Sequence, residues 1–143
     1  MMENEQQLTP QNTLYENATA VLLIDDNAIQ AATRKAILRR AGYSVIASLD
    51  PARALEQLQH GEFHAPVGAV ITDHIMPGTS GAEFVRELRR THPELPVMVI
   101  SGLEDAEAEY AGMNVRFLVK PLMPDLLLSN LRELLAFEHQ GVA

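Results

Sequence analysis

The stretch AVITDHIMPGTSG, residues 69–81, runs from an unbroken apolar segment straight into a carboxylate and then into a Met-Pro-Gly turn. VGAVIT (67–72) has the length and continuous apolar character of a strand covered on both faces, so Asp73 falls where that strand ends. Pro77-Gly78 marks a turn. Ser80 and Glu83 have the spacing of a capping box, which predicts a helix from about Gly81 to Thr91 that buries Phe84, Val85 and Leu88. Strand, loop and helix in that order make up a parallel crossover unit.

The same alternation extends in both directions. AVLLI (20–24) reads as a buried strand, and DDNAIQAATRKAILRRAG (25–42) as a helix. Asp26 or Asn27 can cap that helix, Ile29, Ala32, Ala36 and Ile37 supply its apolar face, and Gly42 ends it. YSVIAS (43–48) is a second strand. Asp50-Pro51 is a cap followed by proline at the first helical position, opening a helix through Ala54, Leu55 and Leu58 to Gly61. PVMVIS (96–101) and VRFLV (115–119) are the fourth and fifth strands. A last helix from Pro124 places Leu127, Leu128, Leu131, Leu134 and Leu135 on one face. Five strands alternating with five helices predict an α/β fold, a doubly wound five-stranded parallel sheet.

A chain of 143 residues, 47% hydrophobic, has room for one domain. Residues 1–19 are expected to be a polar, flexible N-terminal tail, 20–138 the domain, and 139–143 a short C-terminal tail. A net charge of −8 and a pI near 5.0 argue against direct nucleic acid binding. Without cysteine there is no disulfide or thiolate metal site, and no apolar run approaches the ~20 residues of a membrane helix. A cytoplasmic protein with no membrane partner is the expectation.

In such a sheet ligands bind beyond the carboxyl ends of the strands. There the sequence puts Asp25-Asp26, Asp73, Ser101 and Lys120, at four of the five strand ends. Each alone is an ordinary cap or turn residue; independent turn residues have no reason to gather on one edge. Carboxylates ~4 Å apart repel by about 4 kcal/mol per pair at an effective dielectric near 20, so a cation is required. All-oxygen donors favour Mg2+, and Lys120 adds a second positive charge. A metal, a lysine and a hydroxyl around one carboxylate can stabilise a transferring phosphoryl group, which makes Asp73 the nucleophile.

With LLIDDN (22–27), ITDHIMPGTSG (71–81), VIS (99–101) and FLVKP (117–121) in order, the chain resembles a CheY-like receiver domain of bacterial two-component response regulators. The resemblance implies a flavodoxin-like strand order 2-1-3-4-5. It implies that Asp73 is the phosphoacceptor, with Mg2+ held by Asp26, Asp73, the Ile75 backbone carbonyl and, through water, Asp25. Ser101 and Lys120 then bind phosphoryl oxygens, Ser101 and Phe117 form the switch, and Ile75 and Leu103 tune dephosphorylation. The implied partners are a sensor histidine kinase or phosphotransfer protein, a downstream protein target, and a second copy in a homodimer. Such a domain counts as no enzyme, since it catalyses only its own phosphorylation and dephosphorylation.

Three departures from the family pattern carry expectations. Ile75 is apolar where many members hold a polar side chain, which predicts slow self-dephosphorylation. Phe117 lacks a tyrosine hydroxyl, which biases it inward. Only 18 residues separate Ser101 from Lys120, so the fourth helix, about Glu104 to Ala111, is expected to be short or irregular, which argues against dimerisation through that face. His74 is expected to be surface-exposed rather than a phosphohistidine or metal ligand. His60, His64, His92 and His139 show no ligand spacing, and Met76 is expected to pack on the core.

Two other classes compete. A Mg2+-dependent phosphatase would carry a second acid two residues after the nucleophile, where Ile75 stands. A phosphorylation-independent interaction module would not need Asp25, Asp26, Asp73, Ser101 and Lys120 together. The chain reads either as a stand-alone regulator or as a receiver segment detached from a hybrid histidine kinase.

Overall fold

The apolar runs pair as parallel strands because each is apolar on both faces and can be buried only between two layers of helix. The computed structural model describes residues 19–142 and the side chains of the last helix as far as Ala136. Residues 1–18 of the tail expected at 1–19 lie outside the described residues. Strands β1 (Ala20–Ile24), β2 (Val45–Ser48), β3 (Val67–Asp73), β4 (Val97–Ser101) and β5 (Arg116–Val119) form one sheet in the order β2-β1-β3-β4-β5. All four pairings are parallel. The fold is therefore doubly wound and flavodoxin-like, and the strand order reverses between β1 and β3. Asp25-Asp26 and Asp73 sit at the carboxyl ends of those two strands, where a ligand crevice is expected.

The period-2 alternation of the strands divides the core in two. Leu22 and Ile24 of β1, Val70 of β3, and Val97 and Val99 of β4 face one side. Ala54 and Leu58 of the second helix (Pro51–Gln59) cover them, with Phe84, Val85 and Leu88 of the third (Gly81–Thr91). Val21 and Leu23, Ala69 and Ile71, and Met98 and Ile100 face the other. The first helix (Ala28–Arg40) covers these through Leu38, and the fifth (Pro124–Val142) through Leu127 and Leu131. Each fully buried leucine contributes ~1.5–3 kcal/mol. Leu128, Leu134 and Leu135 are half-buried at the margin of that layer. The fifth helix continues to Val142, past residue 138, where the sequence places the end of the domain.

The caps explain where the helices start. Asn27 rather than Asp26 caps the first, accepting from Gln30 N at 2.9 Å, and Asp50 caps the second, accepting from Arg53 N at 3.1 Å. Ser80 and Glu83 form the reciprocal capping box. Between β3 and the third helix, Ile75–Met76 and Thr79–Ser80 pair as a short hairpin. Gly78 sits there at φ 81°, the conformation a Pro-Gly turn of type II requires. Met76 is buried in the core, as expected.

The fourth helix is a single 3-10 stretch, Glu104–Tyr110, irregular as the shortened segment predicts. The first helix departs from expectation. Ile29 is 81% exposed and Ala32 and Ala36 are exposed, while the buried stripe is Ala31, Arg34 and Leu38. Ile29 is two residues, about 200° of helix, from the buried Ala31, so it lies on the face turned away from the stripe. Arg34 is drawn inward by carboxylates.

Candidate functional site

The site is built on two strand ends. Asp25 follows β1 directly; its backbone N–H donates to Ser48 O of β2 (3.1 Å) and its Oδ1 accepts from Asn27 N (2.9 Å), so the strand and the helix start both fix its carboxylate. Asp73 is the last residue of β3 and lies opposite Ile100 of β4. The next N–H, of His74, donates to Ile100 O at 3.0 Å. Both carboxylates are buried, whereas Asp26 is exposed and makes no hydrogen bond or ion pair among the described residues. Carboxylate oxygens of Asp25, Asp26 and Asp73 lie within 4.8 Å of one another.

Lys120 closes the far side. Its backbone N–H donates to Ser101 O (2.7 Å), tying the end of β5 to the end of β4, and its Nζ stands 3.5 Å from Asp73 Oδ1. The peptide bond to Pro121 is cis. Ser101 is buried at the tip of β4, but its hydroxyl is committed to its own loop, accepting from Leu103 N (2.9 Å) and donating to Leu103 O (3.2 Å). Ile75 and Leu103 are exposed apolar side chains next to Asp73 and Ser101 in the chain. Phe117 is half-buried against the core, its ring centroid 5.7 Å from that of Tyr110.

Two residues at the centre of the site were not anticipated. Arg34 Nη1 donates to Asp73 Oδ1 (3.0 Å) and Asp25 Oδ2 (3.2 Å), and the Gln30 amide donates to Asp25 Oδ2 (2.6 Å) and Asp73 Oδ2 (2.9 Å). Both come from the buried side of the first helix, four residues apart, which places them on one face. The available signal was Arg34 sharing the i, i+3, i+7 stripe with Ala31 and Leu38: a charge on an apolar stripe has to find a partner.

Burial first, and the nearby Asp25 carboxyl next, raise the Asp73 carboxyl from 3.8 to about 6 against the opposing pull of the Arg34 guanidinium. A desolvated, partly compensated carboxylate of this kind is a better nucleophile than a solvated one.

His74 corrects a second expectation. It is buried, with Nδ1 2.7 Å from the Tyr110 hydroxyl and Nε2 3.6 Å from Glu109, and its ring meets Tyr110 edge-on. Burial and Glu109 push the Tyr110 phenol up, so it stays protonated. Gly81 makes this contact possible, because a β-carbon there would meet the Tyr110 hydroxyl and lie 2.7 Å from Asp73 O.

A parallel sheet with an acidic crevice at its switch point, faced by a lysine from the last strand, defines a class that known proteins share. The model of the response regulator receiver domain matches residues 21–132, and the chain belongs to that family. The hydrogenase transcriptional regulatory protein HoxA of Cupriavidus necator is 34% identical over 131 residues, covering 89% of this chain and 26% of its own length. The sensor kinase CckA of Brucella abortus is 31% identical, covering 92% of this chain and 14% of its own. This chain thus spans about a quarter or less of those two relatives. A response regulator receiver protein of Sinorhizobium medicae superposes with a TM-score of 0.75 at 28% identity, covering 85% of this chain and 97% of that one. Among the described residues no helix is long and apolar enough to cross a membrane.

Proposed function

We propose that this chain is the phosphoacceptor module of a two-component or phosphorelay system, working in the cytoplasm and receiving a phosphoryl group on Asp73 from a phosphohistidine of a sensor histidine kinase or phosphotransfer protein. The observation that carries this reading is the buried Asp73 at the end of β3, with Asp25 and Asp26 within carboxylate reach and Lys120 Nζ at 3.5 Å. In the transfer, a carboxylate oxygen of Asp73 forms a bond to phosphorus as the bond from phosphorus to the imidazole nitrogen breaks. The departing nitrogen keeps the electron pair of the broken bond, and the histidine leaves as neutral imidazole either because its other nitrogen already carries a proton or by taking one from water. The substrate is the chain's own side chain, so the module is a self-modifying acceptor rather than an enzyme with a free substrate.

The donor set fits Mg2+. It is all oxygen, its three carboxylates each bring an oxygen within 4.8 Å of the others, and Asp26 is exposed, so that a hydrated ion would have access to it. Asp26, Asp73 and the Ile75 carbonyl would hold it, with Asp25 acting through water. When bound, the ion supplies positive charge to the phosphoryl oxygens. Lys120 compensates charge on the acceptor side. Ser101 would leave the Leu103 backbone to reach the phosphoryl group, and Phe117, already packed on Tyr110, would respond through the surface formed by the fourth helix, β5 and the fifth helix.

Incubation with a small acyl phosphate and MgCl2, followed by intact-mass measurement, tests this reading. One added phosphoryl group, lost in Asp73→Asn and on chelation, is the expected result. An unmodified parent, or an equally modified Asp73→Asn variant, would overturn it.

A further inference from the structure

Arg34 lies where a bound cation would act. Its Nη1 bridges one oxygen of Asp73 (3.0 Å) and one of Asp25 (3.2 Å), and Gln30 bridges the same two carboxylates through Asp25 Oδ2 and Asp73 Oδ2. With Asn27 N on Asp25 Oδ1, every oxygen of these two carboxylates has a protein donor. Arg34 is itself 8% exposed. A guanidinium is seldom buried unless its charge is paired, and among the described residues the only acceptors of this side chain are these two aspartates.

Resting on the Mg2+ reading above, we propose that Arg34 is a tethered counter-ion of the acidic pocket, competing with the divalent cation for Asp25 and Asp73, so that metal entry requires its guanidinium to withdraw. Mg2+ holds its oxygens at ~2.1 Å and tolerates little distortion. A guanidinium shared between Asp73 Oδ1 and Asp25 Oδ2 already supplies positive charge between the two carboxylates, and it repels a divalent ion brought to the same oxygens. The withdrawn side chain has somewhere to go. Arg34 also lines an open cleft of about 540 Å³ between the first helix and the start of the fifth, together with Thr33, Ile37, Lys120, Leu122 and Leu127. The role is one of positioning and selection: Arg34 sets how much free Mg2+ is needed before the acceptor is competent.

The test follows MgCl2 additions to the full chain by backbone amide NMR, for the parent, Arg34→Met and Arg34→Lys. Arginine side-chain Nε–Hε signals are recorded on the parent. Arg34→Met is expected to bind Mg2+ at least tenfold more tightly than the parent, with Arg34→Lys close to the parent. The parent's Arg34 signal, assigned by its loss in either variant, should move with the same midpoint as the Asp73 amide. A merely structural arginine would give weaker, not tighter, metal binding on removal. Equal or weaker affinity in Arg34→Met, or an Arg34 signal that stays put at saturating Mg2+, overturns the role of Arg34 and leaves the metal site standing. No saturable Mg2+ binding in any of the proteins overturns both. If Arg34→Met fails to fold, the parent's side-chain signal decides the question.

Discussion

Asp73→Asn should stabilise the metal-free protein. In the folded chain burial first, and the Asp25 carboxyl next, raise this carboxyl from 3.8 to about 6. Between those values the folded state keeps a proton that the unfolded chain has released, so stability is greatest below 3.8, falls as pH rises, and levels off above about 6. At 1.36 kcal/mol per pH unit the gap converts to a ceiling of ~3 kcal/mol at pH 7. Lys120, at the mouth of the pocket, is half-exposed, so water screens part of this and ~1–3 kcal/mol is the expected gain. Asparagine keeps the shape and its Oδ1 can still accept from Arg34 and Lys120, while its NH2 replaces the oxygen that accepts from Gln30, so one lost hydrogen bond offsets part of the gain from removing the charge. Urea unfolding of parent and variant in EDTA, at pH 7 and pH 5, measures it. The gain should fall by about half at pH 5, where the parent's Asp73 is largely protonated. A variant less stable than the parent at pH 7, or a gain independent of pH, would refute the assignment of Asp73 as a destabilising buried charge.

Ile75→Asn should speed loss of the phosphoryl group from Asp73 by about tenfold, below the 10²–10⁴ of a full general base, because a polar tip at this exposed position can orient water; phosphate release after removal of donor is the assay, and comparable rates would count against it. Gly81→Ala should cost ~1–3 kcal/mol in urea unfolding, since its β-carbon meets the Tyr110 hydroxyl and the Asp73 backbone. Gly102→Ala, where a β-carbon meets nothing within 4 Å, is the control and should be near neutral.

The sheet was legible because burial on both faces leaves an apolar run no alternative, and the acidic residues were legible because they end those runs. The capping box of Ser80 and Glu83 fixed a helix start to the residue, since both partners are local. The irregular fourth helix followed from chain length between Ser101 and Lys120. Long-range partners were a different matter. Ile29 is apolar and expected in the core, yet the helix buries the opposite face, the stripe of Ala31, Arg34 and Leu38. Arg34 is absent from the apolar face expected of the first helix, yet two carboxylates from different strands hold it inside. His74 turned inward for Tyr110, 36 residues away, whose position depends on how the 3-10 segment folds back. Ser101 was placed correctly at its strand end, but nothing local announced that its hydroxyl would engage Leu103.

The bridge from Arg34 to both carboxylates also bears on effective concentration. A cation covalently attached to the first helix is present at its site at a local concentration fixed by the chain, on the order of millimolar or above for short tethers, whereas a free ion follows the surrounding solution. Chelators and dilution deplete one and not the other. Asp25 and Asp73 therefore keep a positive neighbour under conditions that strip every diffusible ion, and the resting geometry of the acceptor is inherited from the fold.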